Sequence, residues 1–103
     1  IPFQEIVKNE NQKMTEFITA TRGRDYVMVY IPTGLAAQLD LKLCGWPKAK
    51  GWWYNCQTGE AEYFGEIETS QEKSFQPKTG RRGNDWVLVL DNAKNNFKKP
   101  GYL

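Results

Sequence analysis

Gly51-Trp52-Trp53-Tyr54, running into Asn55-Cys56-Gln57-Thr58-Gly59, constrains this chain more than any other segment. Three consecutive aromatics ahead of a Gly-closed turn read as a β-strand entering a hairpin. Successive side chains of a strand point to opposite sides of the sheet, so rings must emerge on both faces. One face can bury into a core. The other must be met by a second protein surface, a ligand or further packing. Gly83-Asn84-Asp85-Trp86-Val87-Leu88-Val89-Leu90-Asp91 is the second informative run, and it also reads as a strand.

At 103 residues the chain suits one domain with a single core. Its 40% hydrophobic, 14% aromatic and 25% charged residues are the balance of a folded domain, not a disordered tail. From Thr15 onward, short β-rich runs alternate with turn residues. The pattern predicts strands near Phe17 to Thr21, Asp25 to Ile31, Ala37 to Leu41, Ala49 to Asn55, Ala61 to Ile67, Lys73 to Gln76 and Trp86 to Asp91. Arg22-Gly23-Arg24 reads as a hairpin turn. Pro32-Thr33-Gly34 ends the second run, because Pro interrupts the hydrogen-bond ladder. Gln57-Thr58-Gly59 reads as a short hairpin loop with Gly59 in the left-handed position. The spacing predicts an all-β antiparallel sandwich of about seven or eight strands.

Gly23-Arg24-Asp25-Tyr26-Val27-Met28-Val29-Tyr30 echoes Gly83-Asn84-Asp85-Trp86-Val87-Leu88-Val89-Leu90. Apolar runs without alternation imply strands covered on both faces, so these two are expected at the centre. We expect residues 1–14 to be a lead-in that docks through Phe3 and Ile6, 15–91 to be the sandwich, and 92–103 to be a tail of linker composition. The start, Ile1-Pro2-Phe3, has neither an initiator Met nor a signal segment, which is expected of a piece of a longer chain.

Several functions are disfavoured. Fourteen basic and 12 acidic residues leave a net charge of +2, too balanced to steer nucleic acid or an anionic membrane. No apolar run approaches the roughly 20 residues that span a bilayer. Histidine is absent, which removes Ser/His and Cys/His nucleophile systems and the commonest metal ligand. Asp25, Asp40, Asp85 and Asp91 are scattered with no calcium-loop spacing, so no metal and no cofactor is expected. Cys44 and Cys56 flank a strand, past bridging distance, and read as free thiols with Cys56 the more exposed. Glu60 with Glu62, and Glu66 with Glu68, are spaced about 6 to 7 Å apart, within reach of an inverting glycosidase pair. Charges that keep an edge strand from aggregating account for them more simply. Arg81 and Arg82, Lys48 and Lys50, and Lys98 and Lys99 read as solvated charges, some able to hydrogen-bond a sugar or a neighbouring domain.

The candidate binding or interface residues are Trp52 and Tyr54 with Lys50, Arg81 and Arg82. If Trp53 fills the core beside Trp86, then Trp52 and Tyr54 form an outward aromatic platform. Packing, against a neighbouring domain or under the long Pro77 to Asn84 loop, is the first reading, since aromatics supply much of the area that holds modules together. Stacking on a sugar ring is the second.

The order of Ile18-Thr19-Ala20-Thr21-Arg22-Gly23-Arg24-Asp25-Tyr26-Val27, Tyr30-Ile31-Pro32-Thr33-Gly34, Gly51-Trp52-Trp53-Tyr54-Asn55 with Thr58-Gly59, and Asp85-Trp86-Val87-Leu88-Val89-Leu90-Asp91 resembles a known domain. It is similar to the C-terminal β-sandwich that follows the catalytic (β/α)8 barrel in apiosidase-like bacterial glycoside hydrolases. That domain family also carries the label of a collagen-binding domain of a collagenase. The resemblance covers most of the chain from Thr15, and Pro2-Phe3-Gln4-Glu5-Ile6 resembles the linker leaving the barrel. The family shows Asp-Pro-Arg-Thr-Gly where this chain has Asn55-Cys56-Gln57-Thr58-Gly59, a departure that leaves Gly59 to keep the hairpin. The resemblance implies a non-catalytic accessory module in an extracellular or periplasmic enzyme, packed on a barrel that holds the catalytic carboxylates. The alternative is an independent module binding a polysaccharide or collagen.

Overall fold

A computed structural model describes residues 1–9, 17–32, 35–77 and 85–94. They form two antiparallel sheets around one core. The strands are β1 (Thr19–Arg22), β2 (Tyr26–Ile31), β3 (Ala37–Asp40), β4 (Lys48–Asn55), β5 (Ala61–Glu68), β6 (Glu72–Phe75) and β7 (Trp86–Asn92). The larger sheet has the order β1-β2-β7-β4-β5, and the smaller pairs β3 with β6. These strands lie where the sequence places them, with ends displaced by one or two residues.

Why these runs pair as they do is legible in the turns. In the β4–β5 hairpin, Asn55 Oδ1 accepts from the N–H of Gln57 (2.9 Å) and Thr58 (3.3 Å), and Gly59 supplies the left-handed φ of 77°. After β3, the Asp40 side chain accepts from Lys42 N–H and caps a 3-10 turn, Leu41–Cys44, which Gly45 ends at φ 85°. Thr69 donates its hydroxyl to Trp46 O, and Trp46 Nε1 donates to Arg24 O, which ties this connection to both ends of the sheet.

Val27, Val29 and Ile31 on β2, Leu88, Leu90 and Trp86 on β7, and Ala49 and Trp53 on β4 point to one side. There they meet Ala37 and Leu39 of β3 and Phe75 of β6 in a shared core. Trp53 is buried and meets Trp86 edge-on, with ring centroids 6.3 Å apart. Between Gly51 and Trp52 the β4–β5 register slips, so Phe64 is the extra residue of a bulge. Its ring lies where a side chain on Gly51 would be, and it reaches Trp53 and Phe75.

Phe3 and Ile6 are buried, as the apolar spacing of the first residues predicts. Pro2 bridges Thr21, Phe3 N–H donates to Ala20 O, and Val7 bridges Leu39. Residues 1–7 thus run from the outer edge of β1 across the core to β3. The Arg22 guanidinium stacks over Phe3 and holds the segment down.

One expectation is corrected. The apolar runs of β2 and β7 do occupy the centre of the larger sheet, but β2 is not covered on both faces. Its residues alternate exposed and buried, with Tyr26, Met28 and Tyr30 outward. Tyr and Met carry enough apolar surface to read as core in a sequence while tolerating a wet face.

Candidate functional site

The outward face of the five-stranded sheet is the feature that burial alone does not explain. Strand register builds it row by row. Met28, Val89 and Trp52 lie side by side across β2, β7 and β4, and Tyr63 of β5 continues the row. Tyr30, Val87 and Tyr54 form the row on one side, and Tyr26, Asp91 and Lys50 the row on the other. Trp52 and Tyr63 touch with centroids 5.0 Å apart. Val89 is buried, whereas Met28 and Tyr63 keep 40% and 47% of their surface in solvent.

Polar groups punctuate the face. Tyr30 donates its hydroxyl to Asp85 Oδ2 at 2.6 Å, and that bond, with a little burial, raises its pKa above the usual phenol value. Asp91 sits on the central strand with only 6% of its surface exposed. Burial pushes its carboxyl up to about 6, against the opposing pull of the Trp52 N–H and the Lys50 ammonium. The Trp52 N–H is itself shielded from solvent. It faces this carboxylate without meeting any acceptor in full hydrogen-bond geometry.

The sequence candidates are distributed as follows. Lys50, Trp52 and Tyr54 share this face at alternate positions of β4, each half-buried. Arg81 and Arg82 lie outside the described residues, as do the Pro77 to Asn84 loop beyond Pro77 and the tail residues Phe97, Lys98, Lys99 and Tyr102. Tyr26, Met28, Tyr30, Tyr63 and Asp91 belong to the same face and were not singled out by sequence. The parity of β2 carried a signal for three of them, but only the pairing of β2 with β7 shows that they adjoin Trp52.

Glu66 and Glu68 are exposed on edge strand β5, opposite Lys50 and Lys48. That is the arrangement of a charged, protected edge. Glu60 and Glu62 line a shallow depression of about 260 Å³ with Asn55, Thr58 and Trp86. Asn55 and Thr58 already spend side-chain oxygens on their own hairpin. Cys44 and Cys56 are free thiols, the first buried and the second exposed. Among the described residues no group of three or more Cys, Asp or Glu side chains could hold a metal ion, and no helix is long and apolar enough to cross a membrane.

Comparison with known proteins agrees with this architecture. A glycoside hydrolase of known structure matches with a TM-score of 0.81 and 32% identity over 93% of this chain. A glycoside hydrolase family 5 structure from Bacteroides vulgatus matches with a TM-score of 0.83 and 31% identity over 99% of it. In both cases the chain spans only 22% of the solved protein, so the matching domain is a small part of a longer chain. No curated protein matches. The model of the family described as "Putative collagen-binding domain of a collagenase" matches residues 1–91, and the chain belongs to that family.

Proposed function

We propose that this chain is a non-catalytic accessory module that holds a glycoside hydrolase barrel through the outer face of its five-stranded sheet. The observation that carries the reading is the row Met28, Val89, Trp52 and Tyr63, an apolar stripe across four strands on which Met28 and Tyr63 keep much of their surface exposed. The chain's similarity to about a fifth of each of two longer glycoside hydrolases supports a catalytic domain of the same chain as the partner. With the barrel preceding the domain, as the sequence resemblance implies, the connection would enter along the edge of β1, beside the strand bearing Tyr26, Met28 and Tyr30. Sugar chemistry would then belong to the barrel, and the module would need no cofactor. An enzyme of this kind that attacks external polysaccharide would work outside the cytoplasm.

The test is thermal unfolding of the full chain carrying the domain, with Met28→Glu and Tyr63→Glu placed on the face. Docking predicts a lower unfolding temperature for the barrel while the isolated domain is unchanged. An unaltered barrel transition would refute it.

A second reading draws on the family description and on Trp52 and Tyr63, which expose ring surface together. In it the face binds a polysaccharide by stacking, or collagen. Saturable binding of the isolated domain to one plant polysaccharide or to fibrillar collagen, followed by tryptophan fluorescence and lost in Trp52→Ala with the fold retained, would establish it.

A further inference from the structure

Asp91 is a nearly buried carboxylate on a largely aromatic face. It lies on the central strand β7, flanked by Tyr26 of β2 and Lys50 of β4, with the Trp52 indole N–H turned toward it. Among the described residues, the charged and titratable groups beside it in the sheet are these. Tyr26 and Lys50 are its direct neighbours across the sheet, and Lys50 also stands opposite Glu66 of β5. Asp25 precedes Tyr26 and accepts a hydrogen bond from the Asn92 side chain, so it is engaged elsewhere. The sheet therefore gives Asp91 one lysine, and that lysine also faces a second carboxylate.

We infer that docking onto this face is linked to protonation of Asp91, so that the interface tightens as the medium acidifies. The inference rests on the docking reading above. A carboxylate that keeps 6% of its surface in water loses that remainder when an apolar partner closes over the sheet. Removing water disfavours the charged form. In the free domain, burial already outweighs Lys50 and the Trp52 N–H in setting its proton affinity. Covering the face adds to the larger of the opposing effects. The docked state then takes up a proton, and between the free-state and docked-state titration ranges docking weakens by up to about tenfold for each pH unit, levelling off above them.

The test places a reporter in the patch. Met28→Cys in a Cys56→Ser background puts one exposed thiol on the face, since Cys44 is buried. Its modification rate by a methanethiosulfonate reagent is measured in the full chain and in the isolated 103-residue domain, whose core is closed by its own residues. The ratio of rates is the protection due to docking, and intrinsic thiol ionisation cancels.

Protection at least tenfold greater at about pH 5 than at about pH 8 is expected, with Asp91→Asn protected equally at both. Lys50→Met should move the midpoint to higher pH, because it removes the cation that favours the charged carboxylate. Protection that is present but independent of pH, or that grows as pH rises, overturns the proton linkage and leaves docking standing. Absence of protection at every pH, in wild type and Asp91→Asn alike, overturns the docking reading and this inference together.

Discussion

Replacing Asp91 with Asn should make the isolated domain more stable at neutral pH. The carboxyl ordinarily titrates near 3.8 and is pushed up to about 6 in the folded domain, chiefly by burial. A raised acid pKa means that the folded state binds more protons than the unfolded chain between those two values. Stability then falls as pH rises through that window and stays lowered above it. The move corresponds to at most about 3 kcal/mol, and relaxation around a side chain at the sheet surface reduces this to roughly 1 to 2 kcal/mol. Asn keeps the shape and an oxygen for the Trp52 N–H while removing the charge. The assay is urea unfolding of both proteins at intervals from about pH 4 to pH 8. The difference between them cancels the shared titration of the exposed carboxylates. The Asp91→Asn variant should gain over wild type as pH rises from about 4 to 6, then hold a constant advantage. Parallel profiles, or a wild type that is more stable at pH 7, would show that Asp91 is solvated or firmly paired with Lys50.

Other expectations are more local. Gly51→Ala would drive a methyl group into the Phe64 ring, so the ring must swing off Trp53 and Phe75. A loss of about 1 to 3 kcal/mol is expected in thermal unfolding, and Phe64→Leu in the same background should recover part of it. Leu88→Ala empties the centre of the core and should cost about 2 to 5 kcal/mol by denaturant unfolding. Burial pushes the Cys44 thiol up to about 11, whereas Cys56 is exposed. A thiol reagent at pH 8 should modify one cysteine in the native domain and the second only after unfolding, as counted by mass spectrometry.

Period-two alternation and turn chemistry are local, and so the seven strands, the Asn55 to Gly59 hairpin and the inward position of Trp53 were legible in the sequence. Asn55 and Gly59 close their turn through contacts a few residues apart, which any reader of the chain can anticipate. The absence of histidine and the near-balanced charge likewise narrowed the chemistry before any fold was known. Covering of a face is not local. Tyr26, Met28 and Tyr30 look like core residues in a run with Val27, Val29 and Ile31, and nothing along the chain says which parity meets β3 and β6. That was decided when the smaller sheet, the lead-in and the Leu41–Cys44 turn all closed over one side of the larger sheet. The same pairing brought Asp91 between residues 26 and 50, giving its carboxylate a buried setting, and joined Met28 to Trp52 and Tyr63 in one stripe. Strand order joins residues far apart in sequence, and only the tertiary structure could place them side by side.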